Sequence, residues 1–401
     1  MTNRQAAIRI IHSLGKAGFE ALLAGGCVRD TLLGKKPKDY DVATNATPVQ
    51  ICKLFRRTIK VGAKFGVIIV LIDNHQIEVA TFRADTGYTD GRRPDKVSFT
   101  VAKEDAIRRD FTINGMFYDP LKKEVIDYVG GREDLKRKII RTIGKADERF
   151  GEDYLRMLRA VRFAAQLDFE IEKTTLAAIK KHAGSITKIS GERIAAELQS
   201  LSAAKNRKKG VELLIETGLA ERVFPVFGKT GVAESAERIF DFLPVKISFE
   251  LFMAGIFSTR SATETMEGLK ILKLSSEQAK HIKFLLECRG YLLNSLNLAE
   301  LKLIVSEPYF EDLYSLQKAI CKLTGLSASA LLSIRRRAKA LAGTELRPKP
   351  LLNGYELIEL GVLPGRLVGV ASRELYIAQL AEEIGTKPQA VRWVGDWLKK
   401  R

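Results

Sequence analysis

LLAGGCVRDTLLGKKPKDYDVA, residues 22–43, sets Gly25-Gly26 and Asp39-x-Asp41 about fourteen residues apart. One reading is a tight turn followed by an ordinary acidic strand end. The other is a phosphate cradle facing a pair of metal ligands. On a strand, residues two apart point to the same face, so the Asp39 and Asp41 carboxylates repel each other unless a cation sits between them. Mg²⁺ favours such oxygen ligands and leaves room for substrate phosphates. Glycine lets backbone N–H groups approach an anion at the start of the helix VRDTLLG, and Arg29 lies one turn in, within reach of the same anion. Together the two halves point to a metal–triphosphate site.

The composition narrows the class. At 401 residues the chain suits two to four domains. Its longest apolar run, Val67 to Ile72, is too short to span a bilayer. The start, MTNRQAAIRIIHSLGKAGFEALL, reads as one amphipathic helix running to the glycines, without the apolar centre of a secretion signal. Four cysteines stand far apart with no CxxC pair, and none of the four histidines is paired at metal-ligand spacing. A zinc site and a disulfide framework are thereby disfavoured, and a reducing cytoplasm is the expected compartment. A net charge of +18 and a pI near 9.6 call for a polyanion, nucleic acid first, although solvated lysine-rich helices are also common.

Residues 1–140 alternate helical and strand patterns. DYDVAT reads as a strand, Thr47-Pro48 as a helix start, and VIIVLIDNHQIEVAT as two β-rich runs joined by a turn. From about residue 141 strand signals nearly vanish, and RTIGKADERFGEDYLRMLRAVRFAAQL reads as a strong helical pattern. An α+β head with an all-helical remainder is expected.

Further candidates lie along this frame. Glu78, in QIEVATF, is either solvent-facing on a sheet or a third carboxylate for two-metal phosphoryl transfer. In RRDFTIN, Arg109, Asp110 and Asn114 suit ribose and phosphate contacts, with Asp110 holding an arginine; a helix-capping Asp110 is the bland option. Asp153, Arg156, Arg159 and Arg162 recur every three residues, apart from the apolar stripe of Leu155, Leu158, Val161 and Ala165. They form either a solvated basic face or something sharper. Cytosine and adenine both offer an amino donor beside a ring-nitrogen acceptor, and uracil and guanine reverse that order. A carboxylate that accepts and a guanidinium that donates, Asp153 and Arg156 one helical turn apart, would select C and A.

GGCVRD…DYD, RRDFTIN, DYVGGREDL, EDYLR and GERIAAEL follow the order seen in class II tRNA nucleotidyltransferases and bacterial poly(A) polymerases, which the chain resembles over residues 22 to about 200. The tail, PLLNGYELIELGVLPGRLVG, is also similar, with LPGRLVG departing slightly. The resemblance implies a polymerase β-like nucleotidyltransferase head with a mixed or antiparallel sheet over 1–140. A helical neck would follow over 141–203, a body over 204–330 and a tRNA-binding tail over 331–401. It implies that Asp39 and Asp41 bind Mg²⁺, that Gly26 and Arg29 contact the triphosphate, and that Arg109, Arg159 and Arg162 contact the nucleotide. Asp153 and Arg156 would read the base. Gly130 and Gly131, flanked by Asp127 and Asp134, match the family's flexible connector.

Within the family, the full-length RADTGYTDGRRPDKVSF loop disfavours a CC-only member, and VGAKFGVIIV resembles the tRNA-processing form. Complete CCA addition from CTP and ATP to the tRNA 3′ end is the first expectation. An A-adding enzyme, a poly(A) polymerase and an RNA-binding protein with an inactive head are the alternatives. No attached phosphohydrolase and no protein partner are expected. Lys136-Arg137-Lys138, Arg207-Lys208-Lys209 and Arg335-Arg336-Arg337 suit phosphates of the acceptor stem and elbow, or else solvated faces. Trp393 and Trp397 read as packing residues.

Overall fold

Two units divide the chain: Met1–Thr230 with Gly268–Leu274, and Gly231–Glu267 with Ser275–Arg401. The computed structural model describes residues 1–86, 96–229 and 231–400, so the centre of the RADTGYTDGRRPDKVSF loop, whose length disfavours a CC-only member, lies outside the described residues.

The first helix, α1 (Asn3–Lys16), opens on a capping box between Thr2 and Gln5 and buries Ala6, Ala7, Ile10, Ile11 and Leu14 along one face. It does not run on to the glycines as expected. The chain turns at Gly18 and forms strand β1 (Ala21–Ala24), all four residues of which are buried. A strand covered on both faces shows no apolar–polar alternation, so its sequence continues the helical pattern without a visible break.

The head sheet combines β1 with β2 (Asp41–Thr44), β3 (Thr58–Gly62), β4 (Val67–Ile72), β5 (His75–Thr81), β8 (Phe117–Asp119) and β9 (Glu124–Ile126), in the order β3-β4-β5-β2-β1-β8-β9. Only β2 and β5 run parallel, which makes the sheet mixed, as expected. Between β5 and β8, β6 (Arg83–Thr86) and β7 (Lys96–Phe99) pair separately. The β4–β5 hairpin turns on Asp73 and Asn74, both at positive φ, the signature of a tight two-residue turn. Register matters most at one sheet edge. Ala24, just before Gly25, pairs with Asp41, and Val42 pairs with Val79, next to Glu78. The glycine turn and two of the three candidate carboxylates therefore reach the same edge.

Helices α2 (Gly26–Leu32), α3 (Pro48–Leu54), α4 (Ala102–Ile107) and α5 (Gly131–Arg137) complete the head. Beyond it come α6 (Ala146–Glu152), α7 (Leu155–Leu167), α8 (Lys173–His182), α9 (Gly191–Ser202) and α10 (Arg207–Glu216). The expected continuous helical run breaks between α6 and α7. Asp153 takes extended backbone angles there, φ −152° and ψ 104°, and its carboxylate accepts from the Leu155 N–H at 3.0 Å. Asp153 thus precedes the arginine-bearing helix instead of lying on it. α7 buries Leu155, Leu158, Val161 and Ala165 and packs on α9 and α10. Phe163 of α7 meets Phe111 edge-on at 5.8 Å, joining this helix to the head.

The described part of the second unit is helical, as expected. Phe249–Ile256 has seven of its eight residues buried and packs on Ser276–Glu287 and Phe310–Thr324. Nearer the C-terminus, Gly354–Glu359, Arg366–Leu380 and Lys387–Lys399 enclose a core of Leu357, Leu375, Val394 and Trp397, with Trp393 packed against it. The Trp397 indole donates to Glu374 at 2.6 Å. Both tryptophans pack, as expected. Among the described residues no helix is long and apolar enough to cross a membrane.

Candidate active site

A cleft of about 820 Å³ opens in the first unit. Its lining brings together Gly25, Gly26, Arg29, Asp39, Asp41, Glu78, Arg109, Asp110, Asn114, Asp153, Arg156, Arg159 and Arg162. Residues spread over some 140 positions of sequence thus face one space, of a size that suits a nucleotide.

The turn end is set by Gly25, at φ +73° and ψ −131°, a conformation closed to other residues. A Cβ at this position would stand 3.1 Å from Arg109 Nη1. Asp39, Asp41 and Glu78 lie beside it on the open side. Asp41 is exposed to the cleft, yet the protein packed around it, together with the Glu78 and Asp39 charges, pushes its carboxyl up to about 6, against the pull of Arg109. Carboxylates crowded in this way suit a hard cation. Their donor set is all oxygen, without sulfur or imidazole, which fits Mg²⁺. Among the described residues no group of three or more His, Cys, Asp or Glu side chains stands ready to enclose an ion. Mg²⁺ held by one or two carboxylates completes its octahedron with water and phosphate oxygens.

From there a chain of polar contacts runs along the cleft. Arg29, 9% exposed, donates to Asp30 Oδ1 at 2.8 Å and to Asn114 Oδ1 at 2.7 Å. Asn114 Nδ2 donates to Asp110 Oδ1 at 3.1 Å, and Arg159 donates to Asp110 Oδ2 at 2.9 and 2.7 Å. Burial alone would raise the Asp110 carboxyl; the Arg159 guanidinium and these hydrogen bonds outweigh it and hold the group below the usual carboxylate range. Glu197, from α9, then takes Arg162 Nε at 2.6 Å and stands 3.5 Å from Arg159 Nη1. The Phe163 ring lies under three of these cations, with Arg162, Arg29 and Arg159 at 4.0, 5.2 and 5.3 Å from its centroid.

At the far end, the Arg156 N–H donates to the Asp153 carbonyl at 3.0 Å, while the two side chains are held by different partners. Arg193 of α9 grips Asp153, with Nη2 at 2.6 Å from Oδ2 and Nη1 at 3.3 Å from Oδ1. Arg156 pairs with Glu152 and donates to the Arg149 carbonyl at 3.0 Å. Each of the two therefore has its own anchor, and both line the cleft.

Glu152, Arg193, Glu197 and Phe163 are residues to which sequence reasoning gave no role. A faint signal existed: Arg193 and Glu197 stand four apart in GERIAAEL, one face of a helix. Nothing local tells which partners that face meets.

The connector is closely tied. Asp127 accepts from the N–H groups of Val129, Gly131 and Arg132. Asp134 accepts from Thr112 Oγ1 at 2.7 Å, and a Cβ on Gly131 would lie 2.2 Å from the Thr112 carbonyl oxygen. The basic triplets lie outside the cleft lining. Arg207 is buried at the start of α10 and does not line the cleft, and Lys209 is held by Glu170. In the second unit Arg335 pairs with Glu311 at 2.5 Å and Arg337 donates to the Leu296 carbonyl at 2.7 Å. Arg336 is exposed, as are Lys136, Arg137 and Lys138.

Comparison with known proteins bears on this geometry. Residues 21–141 match the "Poly A polymerase head domain" family, and residues 168–229 the "Probable RNA and SrmB- binding site of polymerase A". The CCA-adding enzyme of Latilactobacillus sakei is 47% identical over 214 residues, 53% of this chain and 54% of that protein. That match and several like it span about half the length of those relatives. The CCA-adding enzyme of Ligilactobacillus salivarius is 35% identical over 374 residues, 90% of this chain and 89% of its own. The crystal structure of the Bacillus stearothermophilus CCA-adding enzyme in complex with CTP superposes with a TM-score of 0.82 at 28% identity, covering 100% of this chain and 99% of that one. With a relative of this identity aligned along nine-tenths of both chains, the protein belongs to the CCA-adding enzyme family.

Proposed function

We propose that this protein completes or repairs the 3′ CCA end of tRNA, transferring CMP and AMP from CTP and ATP without a nucleic-acid template. One observation carries the proposal. A single cleft joins the Asp39–Asp41–Glu78 carboxylates at one end to the Asp153 acceptor and the Arg156 donor at the other. The CTP bound to the Bacillus relative supports the same assignment.

In this reading Asp39 and Asp41, with Glu78 beside them, hold Mg²⁺. When bound, the metal offsets triphosphate charge and acidifies the attacking hydroxyl, as in two-metal phosphoryl transfer. The chain's own residues do the rest. The Gly25-Gly26 backbone, Arg29 and Arg109 grip the triphosphate, while Asp110 and Asn114 hold Arg159 and Arg29 toward the nucleotide. Arg159 and Arg162 add positive charge along it. Asp153 accepts from the exocyclic amine and Arg156 donates to the ring nitrogen, a pattern that cytosine and adenine satisfy and uracil and guanine do not. The tRNA 3′-oxygen attacks the α-phosphorus, the bond to the bridging oxygen breaks, and pyrophosphate leaves. Exposed Lys136, Arg137, Lys138 and Arg336 serve tRNA phosphates. The four unpaired cysteines suit a reducing cytoplasm.

The test uses Mg²⁺, labelled CTP or ATP, and three acceptors: tRNA ending before CC, tRNA ending in CC, and a generic oligonucleotide. CMP and then AMP should enter the first, and AMP the second. AMP on the second alone would make this an A-adding enzyme, long tails on the oligonucleotide a poly(A) polymerase, and no incorporation an RNA-binding protein. Asp39→Ala or Asp41→Ala should abolish transfer while RNA binding survives.

A further inference from the structure

Asp105 does not line the cleft, and it is 1% exposed, yet both of its oxygens are tied to residues that do. Oδ1 accepts from Arg108 Nη2 at 2.6 Å and Nε at 2.9 Å, and from the Arg83 backbone N–H at 3.2 Å. Oδ2 accepts from Arg109 Nη2 at 2.9 Å and Nε at 3.2 Å. Burial alone would raise this carboxyl; Arg109 and Arg108 outweigh it and keep it below the usual range. A buried ion pair is a poor source of net stability, because desolvation offsets the attraction. An interior carboxylate shared by two cleft arginines therefore calls for a reason other than stability.

Its position supplies one. Arg109, so held, lies 5.0 Å over the Phe117 ring, with Nη1 3.4 Å from the Asn114 carbonyl and pressed against the Gly25 turn. Its charge also acts on Asp41. The Arg108 carbonyl accepts from Arg156 Nη2 at 3.4 Å, so the same short segment reaches the base-reading end. A free arginine side chain loses about 2 kcal/mol of rotamer freedom on being fixed, and adjacent guanidiniums repel. One carboxylate bonded to both lowers each cost before any ligand arrives.

We infer that Asp105 is the positioning residue of the triphosphate grip, fixing the Arg109 guanidinium, with Arg108 beside it, between the glycine turn and the acidic edge. The inference rests on the reading of this cleft as a nucleotide site. The test compares wild type with Asp105→Asn, Arg109→Ala and the double variant in CMP and AMP transfer, and measures equilibrium binding of CTP and of cytidine. Asp105→Asn should raise KM for CTP and ATP about tenfold, with kcat within about threefold. It should weaken CTP binding and leave cytidine binding unchanged. The double variant should be no worse than Arg109→Ala, since the two act as one unit. Additive losses, an unchanged KM, or equal loss of CTP and cytidine would overturn the inference. If Asp105→Asn does not fold, Asp105→Glu takes its place, keeping the charge but displacing it by one methylene. A raised KM at near-native melting temperature then supports the positioning role, and a native KM overturns it. Wild type that binds CTP but transfers nothing would defeat the proposed function alone, and the binding comparison would still judge Asp105. Wild type that binds no CTP would overturn both.

Discussion

Asp153→Asn is the sharpest perturbation of base selection, because it changes chemistry without changing size. Asp153 Oδ1 receives two donors, the Leu155 N–H at 3.0 Å and Arg193 Nη1 at 3.3 Å, whereas Oδ2 receives Arg193 Nη2 alone at 2.6 Å. An asparagine keeps its oxygen where two donors point, so its NH₂ is turned toward Nη2. There donor meets donor, and a charge-assisted bond of about 1.5–3 kcal/mol is lost. The group offered to the base also gains a donor where only an acceptor stood. A charge-assisted bond from the base to Asp153 is worth a similar energy, so its loss lowers selection of CTP over UTP and of ATP over GTP by about 10- to 150-fold. Single-nucleotide addition to tRNA lacking its 3′ end, measured as kcat/KM for all four triphosphates, gives the ratio directly. A melting curve run alongside separates lost selection from lost fold. Unchanged ratios in a folded variant would refute a reading in which the Asp153 carboxylate faces the base.

Gly25→Ala forces a side chain into a strained backbone conformation and toward Arg109; a cost of about 1–3 kcal/mol should lower the melting temperature by about 2–12 °C in calorimetry. Leu158→Ala, at a site 3% exposed on α7, should cost about 2–5 kcal/mol in urea unfolding, and a loss below 1 kcal/mol would show that α7 is not core. Asp110 has a depressed carboxyl, so its contribution is complete above the ordinary aspartate range and is lost as pH falls through its lower folded value. Between about pH 5 and 3 the wild-type melting temperature should therefore fall more steeply than that of Asp110→Asn, and parallel curves would contradict this. Arg336→Ala should reduce the salt dependence of tRNA binding by about one charge without altering stability, whereas an unchanged slope would remove Arg336 from the RNA surface.

The chemistry that the head's motifs suit is legible in short stretches of residues. Gly25-Gly26 and Asp39-x-Asp41 are short-range patterns, and local geometry suffices to say that one suits phosphates and the other a cation. The helical remainder was legible for the same reason, since an amphipathic period is written within a dozen residues. Where the local signal was ambiguous, the fold departed from expectation. Ala21–Ala24 is a strand because sheet neighbours cover both its faces, and the helical run breaks at Asp153 although no glycine or proline marks the place. Arg207 was legible as a charge but not as a buried one, because burial depends on what α10 packs against.

How the arginines are held is visible in the folded molecule and nowhere in the residue string. Asp105 with Arg108 and Arg109, Glu152 with Arg156, Asp110 with Arg159, Glu197 with Arg162 and Arg193 with Asp153 are pairings of charge with charge. Some are a helical turn apart and others 35 to 49 residues. A charge in sequence carries no record of its partner, because Coulomb attraction acts through space and burial sets its strength. The sequence could name the groups proposed to touch a nucleotide. The fold alone determines which carboxylate holds each arginine.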